Sequence, residues 1–389
     1  MPPPSDTGRA RGLLGSERGR RGALAGDLLV HYGHHPGTTG SHLAEAARRL
    51  AIGNALESPH RSHLHLGGRD ERAYLWVESS VTSLPIDAHR APMVTAGFLI
   101  DVHLHLDQSI RQAALFDVVF VAQRDFVDPL SRVHPNVQWL PLAAPARFLE
   151  VPRRAVYQAA FVGNLWPGTP RRALMEAVSH RVTTNDWRRR WDVEAMARIY
   201  AGSAVVVNPT IRGDLNMRFF EALACGAIVV MPAIGNGQSE IGTAGTDYVT
   251  YDPADDVETI ARVVERVATS HPDGGPGRQV IADGHTYDHR LRQVAEVLAS
   301  PPERCAPIRS MTAPQRAALL AALAADYGDG VLLRAAVQTS PRCLLDRFQP
   351  FEVIVARTVW RWTKAQVRHL TPTLATRLRS QFPTGAARR

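Results

Sequence analysis

The run Ala204-Val205-Val206-Val207-Asn208-Pro209, the stretch Asp214 to Gly226 and the run Ala227-Ile228-Val229-Val230-Met231 together limit the fold most strongly. Two short apolar runs that read as buried strands flank a segment of helical character, which makes the unit a βαβ crossover. Ligands of such units bind beyond the carboxyl ends of the strands. If Asn216 begins the helix, the amides of Met217, Arg218 and Phe219 are among its unpaired N-terminal donors. Those donors and the helix dipole attract a diphosphate. Arg218 adds a fork nearby, and the Glu221 carboxylate, about one turn further on, can accept hydrogen bonds from two ribose hydroxyls. The same pattern also describes an ordinary amphipathic helix with Phe219, Phe220, Leu223 and Ala224 in the core. Periodicity leaves both readings open.

The rest of the chain repeats this grammar. Strand signals at Asp27 to Tyr32, Ala73 to Val77, Met93 to Ile100, Asp117 to Val121 and Val137 to Leu140 indicate a parallel α/β region. The loop Gly33 to Gly40 precedes a helix that Ser41 is placed to cap. Two prolines and short polar residues between Ala143 and Pro152 read as a linker. A second alternating series follows, with strands at Ala159 to Gly163, Arg181 to Thr184 and Tyr248 to Tyr251. Its helices are expected over Arg171 to Ser179, Val193 to Tyr200, Val257 to Ala268 and Tyr287 to Leu298. The expectation is two doubly wound domains facing each other, residues 27–150 and 151–300. Residues 1–26, rich in Pro, Gly and Arg, read as a disordered tail. Residues 301–389 read as a helical extension with helices at Pro314 to Ala325, Gly330 to Thr339 and Phe351 to Leu370.

At 389 residues, with 45% hydrophobic and 21% charged side chains, the chain is long enough for two cores. Its net charge is +8, and of 45 basic residues one, Lys364, is lysine. Phosphate recognition must therefore use arginine forks or backbone amides, because no lysine is available in residues 1–363. The three cysteines, Cys225, Cys305 and Cys343, match no metal or disulfide framework and suit a reducing compartment. Absence of a signal-type or membrane-spanning apolar stretch leads to the expectation of a cytoplasmic protein, and the basic balance reads as solubility and compositional bias rather than as a nucleic-acid surface. Residues 351–377, aromatic with interleaved arginines, are expected to pack as a helix, with peripheral membrane contact or dimerisation as its alternative uses.

Tyr200-Ala201 through Asn208, Leu215-Asn216-Met217-Arg218-x-Phe220-Glu221-Ala222-Leu223-Ala224-Cys225-Gly226-Ala227, and His285-Thr286-Tyr287-x-x-Arg290 resemble the group 1 glycosyltransferases, in particular the spore-maturation-protein (CgeB-like) branch. The likeness is strongest over residues 157–298. A weaker one covers 98–150, through Ile100-Asp101-Val102-His103, Phe116 to Gln123 and Trp139 to Ala143. The resemblance implies a GT-B fold of two Rossmann-like domains with a nucleotide diphosphate-sugar in the cleft and no cofactor. By that analogy Glu221 holds the ribose, and Asn216, Met217 and Arg218 the diphosphate, with Arg171 or Arg172 supplying further charge. The wider superfamily carries a glutamate for the donor sugar where this chain has Gly213, and Asp214, one residue on, is the candidate substitute.

Asp101-Val102-His103-Leu104-His105-Leu106-Asp107 is a second constellation. If it is extended, Asp101, His103, His105 and Asp107 share a face and approach the ligand pattern of a dimetal hydrolase, although Gln108 stands where the last histidine belongs. Within a GT-B cleft, Asp101 and His103 instead lie at a strand end, where either can act as general base or position an acceptor hydroxyl. His60, His63 and His65 read as surface histidines, and Gly235 to Glu240 as a turn beside the site. The function expected is metal-independent glycosyl transfer from a nucleotide diphosphate-sugar to a hydroxyl acceptor. The alternatives are a metal-dependent hydrolase using His103, His105 and Asp107, and a non-catalytic nucleotide-sugar-binding module.

Overall fold

A computed structural model describes residues 26–33, 35–58, 64–165, 167–300 and 302–340. The expected tail, the histidines at 60 and 63, and the helix over 351–370 lie outside the described residues. In chain order, β1 (Leu28–Gly33) leads through α1 (Thr39–Leu50) to β2 (Gly53–Ser58), then β3 (Ala73–Val77) and β4 (Val94–Leu99). The helix α2 (Leu106–Ala113), β5 (Val118–Val121), α3 (Val127–Ser131) and β6 (Val137–Trp139) complete a parallel sheet ordered β2-β1-β3-β4-β5-β6. The second half runs β7 (Tyr157–Ala160), α4 (Pro170–Ser179), α5 (Val193–Ala201), β8 (Ser203–Val207), α6 (Met217–Ala224), β9 (Ile228–Pro232), α7 (Gln238–Ile241) and β10 (Tyr248–Tyr251). Its parallel sheet is ordered β10-β9-β8-β7. There follow α8 (Val257–Ser270), α9 (Gly277–Gly284), α10 (Tyr287–Leu298), α11 (Pro307–Ser310), α12 (Ala313–Tyr327) and α13 (Gly330–Thr339). The fold is two Rossmann-like sheets with helices on their faces.

The strands read as unbroken apolar runs because both faces are covered. β3 and β8 are buried at every residue. One core joins the inner faces of both sheets with α1, α5, α6 and α10. A second lies between α4, α8 and the outer face of the second sheet. The third packs α11 to α13 on the outer face of the first sheet, so the carboxyl-terminal helices belong to the amino-terminal layer. Asp117 anchors them: its carboxylate accepts from Ala306 N at 2.8 Å and from Arg309 Nε at 2.9 Å.

The chain crosses between the sheets twice, and the two crossings lie side by side. Ala144 N donates to His285 O, and Tyr287 N to Ala144 O, both at 3.0 Å. The segment expected to be a loose linker is thus buried at Ala143 and Ala144 and turns through a 3-10 helix at Ala146–Glu150. Beside it Arg290, 2% exposed, donates to the carbonyls of Pro141, Leu142 and Gly284. After this crossing α10 packs on α1 of the first half.

Two local expectations are corrected. The cap of α1 is Thr38, and Ser41 stands inside the first turn, closing a capping box with it. Arg181 to Thr184 makes only an isolated bridge, Thr184 to Ala159, instead of a strand. β2 and α9 went unread because Gly53-Asn54-Ala55-Leu56-Glu57-Ser58 is a half-exposed edge with no β-branched residue, and α9 opens and closes on glycine.

Candidate functional site

In the second sheet the chain goes from β7 outward to Thr184 on one side, then returns to β8 on the other. Strand order therefore reverses between β7 and β8, and the crevice above that point is where open α/β sheets hold ligands. Arg218 spans the crevice. Its Nε and Nη2 donate to Val162 O, beyond β7, at 3.2 and 3.0 Å, and Nη1 donates to Asn208 Oδ1, beyond β8, at 2.9 Å. Its guanidinium lies 4.4 Å from the Phe161 ring centroid. A Cβ on Gly163 would stand 2.5 Å from Arg218 Nη2 and would push that guanidinium out of its present position.

The sequence starts α6 at this point because Asn216 takes the extended cap conformation while Phe219 and Phe220 reach the core, their rings perpendicular at 5.4 Å. Burying each phenylalanine contributes roughly 2–3 kcal/mol, which fixes the helix independently of any ligand. Phe219 N donates to Asn216 O at 3.2 Å, so it is already paired. The Met217 and Arg218 amides find no acceptor among the described residues. Asn216 Oδ1, Asn208 Nδ2 and Arg171 Nε are likewise buried without a hydrogen-bond partner.

Arg171 and Arg172, adjacent in the chain, face different surroundings. Burial, and the Arg218 guanidinium next, pull the Arg171 pKa below its ordinary value, which places two guanidiniums within each other's field. Neither forms an ion pair among the described residues. Arg172 instead pairs with Glu176 of its own helix at 3.0 Å. Asp214, the candidate substitute for a sugar-binding acid, accepts from Ile211 N at 2.7 Å and thereby closes its own loop. Gly213, in front of it, has φ +72°, a left-handed conformation that a glutamate would adopt only with strain.

Glu221, 4% exposed, has no hydrogen-bond or ion-pair partner among the described residues. Burial pushes its carboxyl up to about 7, against the pull of Arg218 and Arg147. The buried phenols of Tyr200 and Tyr287 lie within its field. Tyr287 reaches across to the first half, where its hydroxyl meets Thr39 Oγ1 at 3.1 Å, and Thr39 also donates to the Met217 sulfur at 3.4 Å. On the other side of the cleft Leu215 N donates to Gln123 Oε1 at 2.9 Å, and Asn236 links Asp125 N to Gly213 O. The loop before α6 is thus held by the first domain directly at Leu215 and through Asn236 at Gly213. Gln123 and Tyr287 stand inside the motifs that carry the resemblance and Asn236 inside the Gly235 to Glu240 turn, but nothing in the sequence names their partners, or Thr39 at all, because each pairs with a residue far away in the chain.

Asp101 to His105 forms a turn, with Leu104 N on Asp101 O at 2.9 Å, and α2 begins immediately after it. The shared face required for a dimetal pattern does not form. Among the described residues no group of three His, Cys, Asp or Glu is placed to hold a metal ion. The turn is held from below by Glu78, at the end of β3, whose Oε2 accepts from Ile100 N at 2.5 Å and Asp101 N at 2.9 Å. Burial pushes the Glu78 carboxyl up to about 7. The Asp101 carboxyl also lies above its ordinary range, through partial burial and then the charge of Asp214, opposed by His103 and His105. His103 Nδ1 is buried with no partner. Asp101 and Asp214 therefore sense each other across the cleft. His285 bonds Arg290, and its ring lies 6.2 Å from that of Phe220.

Residues 145–296 match the family model described as "Glycosyl transferase-like". They form a glycosyltransferase-like domain. No curated protein matches the chain in sequence. Among solved structures the chain is similar to Anabaena Alr3699/HepE in complex with UDP and glucose, with a TM-score of 0.51 and 11% identity over 70% of this chain and 98% of that one. It is also similar to the Thermosynechococcus elongatus sucrose-phosphate synthase, at TM-score 0.44 and 13% identity over 58% of this chain and 72% of that one. A glycosyltransferase from Rickettsia africae matches at TM-score 0.45 and 8% identity, over 70% and 97% of the two chains. The architecture is GT-B, and residues 145–296 supply its glycosyltransferase-like domain.

Proposed function

We propose that the protein transfers a sugar from a nucleotide diphosphate-sugar to a hydroxyl acceptor without a metal ion. The observation that carries this reading is the pair Arg218 and Arg171 at the β7/β8 crevice, positively charged and unpaired with any carboxylate among the described residues, beside the free amides of Met217 and Arg218. A diphosphate seated there satisfies the amides, Asn208 Nδ2 and Arg171 Nε, and its departure is stabilised by donors already in place. Glu221, buried and unpartnered, is the acceptor for the ribose diol, and Asp101 and His103 on the opposite lip are the candidates to receive or orient the acceptor hydroxyl. The motifs around Leu215 to Ala227 and His285 to Arg290 favour the CgeB-like branch. Because the neighbouring Anabaena structure is described with UDP and glucose, UDP-sugars head the list of donors to test.

The decisive experiment is calorimetric titration of nucleoside diphosphates and bare nucleosides into wild type and Arg218→Ala. The variant is expected to lose roughly tenfold or more affinity for the diphosphates, the worth of one charged hydrogen bond, and little for the nucleosides. Equal loss for both would remove the phosphate assignment. Tight binding with neither sugar transfer nor donor hydrolysis across a broad panel would identify a non-catalytic binding module instead.

A further inference from the structure

The five residues Trp187-Arg188-Arg189-Arg190-Trp191 stand at the same rim of the second sheet as the diphosphate crevice. Asn185 fastens their loop to β7 by a two-way backbone clamp: Phe161 N donates to Asn185 Oδ1, and Asn185 Nδ2 donates to Phe161 O, each at 3.0 Å. Phe161 is the residue whose ring carries Arg218, so the loop and the crevice share one strand end. Trp187 is 2% exposed, and the Arg188 guanidinium lies 3.8 Å from its ring centroid. Arg189 lies 4.4 Å from the centroid of Trp191, whose Nε1 donates to Asp186 O at 3.0 Å.

Arg188 and Arg189 are thus held in place without being neutralised. Nearby acids are engaged elsewhere: Asp186 Oδ1 accepts from Arg188 N, and Asp192 Oδ1 from Ala195 N. Arg181, a few residues upstream, shows the contrast, since Glu258 and Glu265 both pair with it. None of Arg188, Arg189 and Arg190 has an ion pair among the described residues. Stacking on tryptophan fixes a guanidinium while leaving its donors free in the ring plane. Arg188, Arg190 and Arg172 surround a cavity of about 170 Å³ with Gly163 and Trp187 in its wall, and Gly163 also borders Arg218.

We propose that this cavity is a second anion subsite, which takes a phosphate or carboxylate group carried by a substrate in addition to the donor diphosphate. It rests on the reading of the β7/β8 crevice as the diphosphate site. The group belongs either to a charged donor sugar or to a charged acceptor, and the cavity admits one such group.

The test titrates inorganic phosphate, followed by calorimetry, into the full chain already saturated with a nucleoside diphosphate. Saturable binding is expected in wild type, at least roughly tenfold weaker in R188Q/R190Q, and weakened by added salt. R218A keeps phosphate binding at the loop while losing the nucleoside diphosphate, so failure of the diphosphate reading and failure of this one give different results. Turnover then locates the group. A rise in KM of R188Q/R190Q confined to uronate donors assigns it to the donor, and one confined to phosphorylated or carboxylated acceptors assigns it to the acceptor. No saturable phosphate binding, binding unchanged in R188Q/R190Q, or an equal loss on neutral substrates overturns the proposal.

Discussion

Glu221 combines two properties that oppose each other in the empty protein: it is buried, and it lacks a partner. Its carboxyl, pushed up to about 7, holds its proton more tightly folded than unfolded. That stabilisation is fully present below the unfolded value of 4.5 and is lost as pH rises through about 7. Glu221→Gln is therefore expected to make the unliganded protein more stable above neutrality, by up to about 3 kcal/mol, while lowering nucleotide affinity. Urea unfolding at pH 5 and pH 8, with calorimetry at both, checks this; a variant equally stable at both pH values relative to wild type would contradict the buried-charge account. If the ionised form accepts the ribose hydroxyls, wild-type affinity also falls as pH drops below about 7, and the Gln variant shows no such dependence. Glu78 presents a related case on the other lip, because its carboxylate shapes the Asp101 turn through two amides. Glu78→Ala is expected to lower kcat with little change in nucleotide affinity, measured by steady-state turnover against calorimetry.

Elements rather than single residues carry the coupling between the halves. Arg290 stitches the two crossings by donating to three carbonyls from a buried position. Replacing it with Ala leaves those acceptors orphaned and is expected to destabilise by roughly 3 kcal/mol or more, read from denaturant unfolding. Asp117 does the corresponding work for α11. Burial raises its pKa, but Arg309 and the amides of Ala306 and Thr95 lower it further, so the net position is below the ordinary range. Its contribution is present above the unfolded pKa and is lost as pH falls through the lower folded value. Asp117→Ala, by leaving Arg309 half-buried without its acid, is expected to cost about 3–5 kcal/mol and to expose residues 302–340 to proteolysis. The strands and most helices behind these ties were legible because apolar runs with helical spacing between them admit few alternatives. The ties themselves were not. Arg290 is legible as part of the His285 to Arg290 motif but not as the donor to three carbonyls, and nothing in Cys305-Ala306-Pro307-Ile308-Arg309 indicates that it docks on Asp117.

Across the whole molecule, Gln123, Asn236 and Thr39 bridge the halves around the loop that precedes α6. Gln123→Ala with Asn236→Ala is expected to loosen the cleft, raising the donor KM several-fold with the fold intact; small-angle scattering would show a larger radius of gyration without ligand. What the sequence by itself determined is the βαβ grammar, the start of α6 at Asn216 and the GT-B resemblance, because strand burial and helix capping depend on neighbours a few residues away. Helix position made Asn216-Met217-Arg218 and Glu221 candidates, and the family resemblance is what favoured them over an ordinary amphipathic helix. Only the tertiary structure set Arg171 beside Arg218 and Arg172 on Glu176, turned Asp214 onto its own loop, folded Asp101 to His105 into a turn rather than a metal face, and placed the arginines of residues 188–190 beside the crevice. Each of those outcomes depends on which distant atom occupies the nearby space. Two adjacent arginines are equivalent as letters, and burial next to Arg218 or pairing with Glu176 is what makes them different.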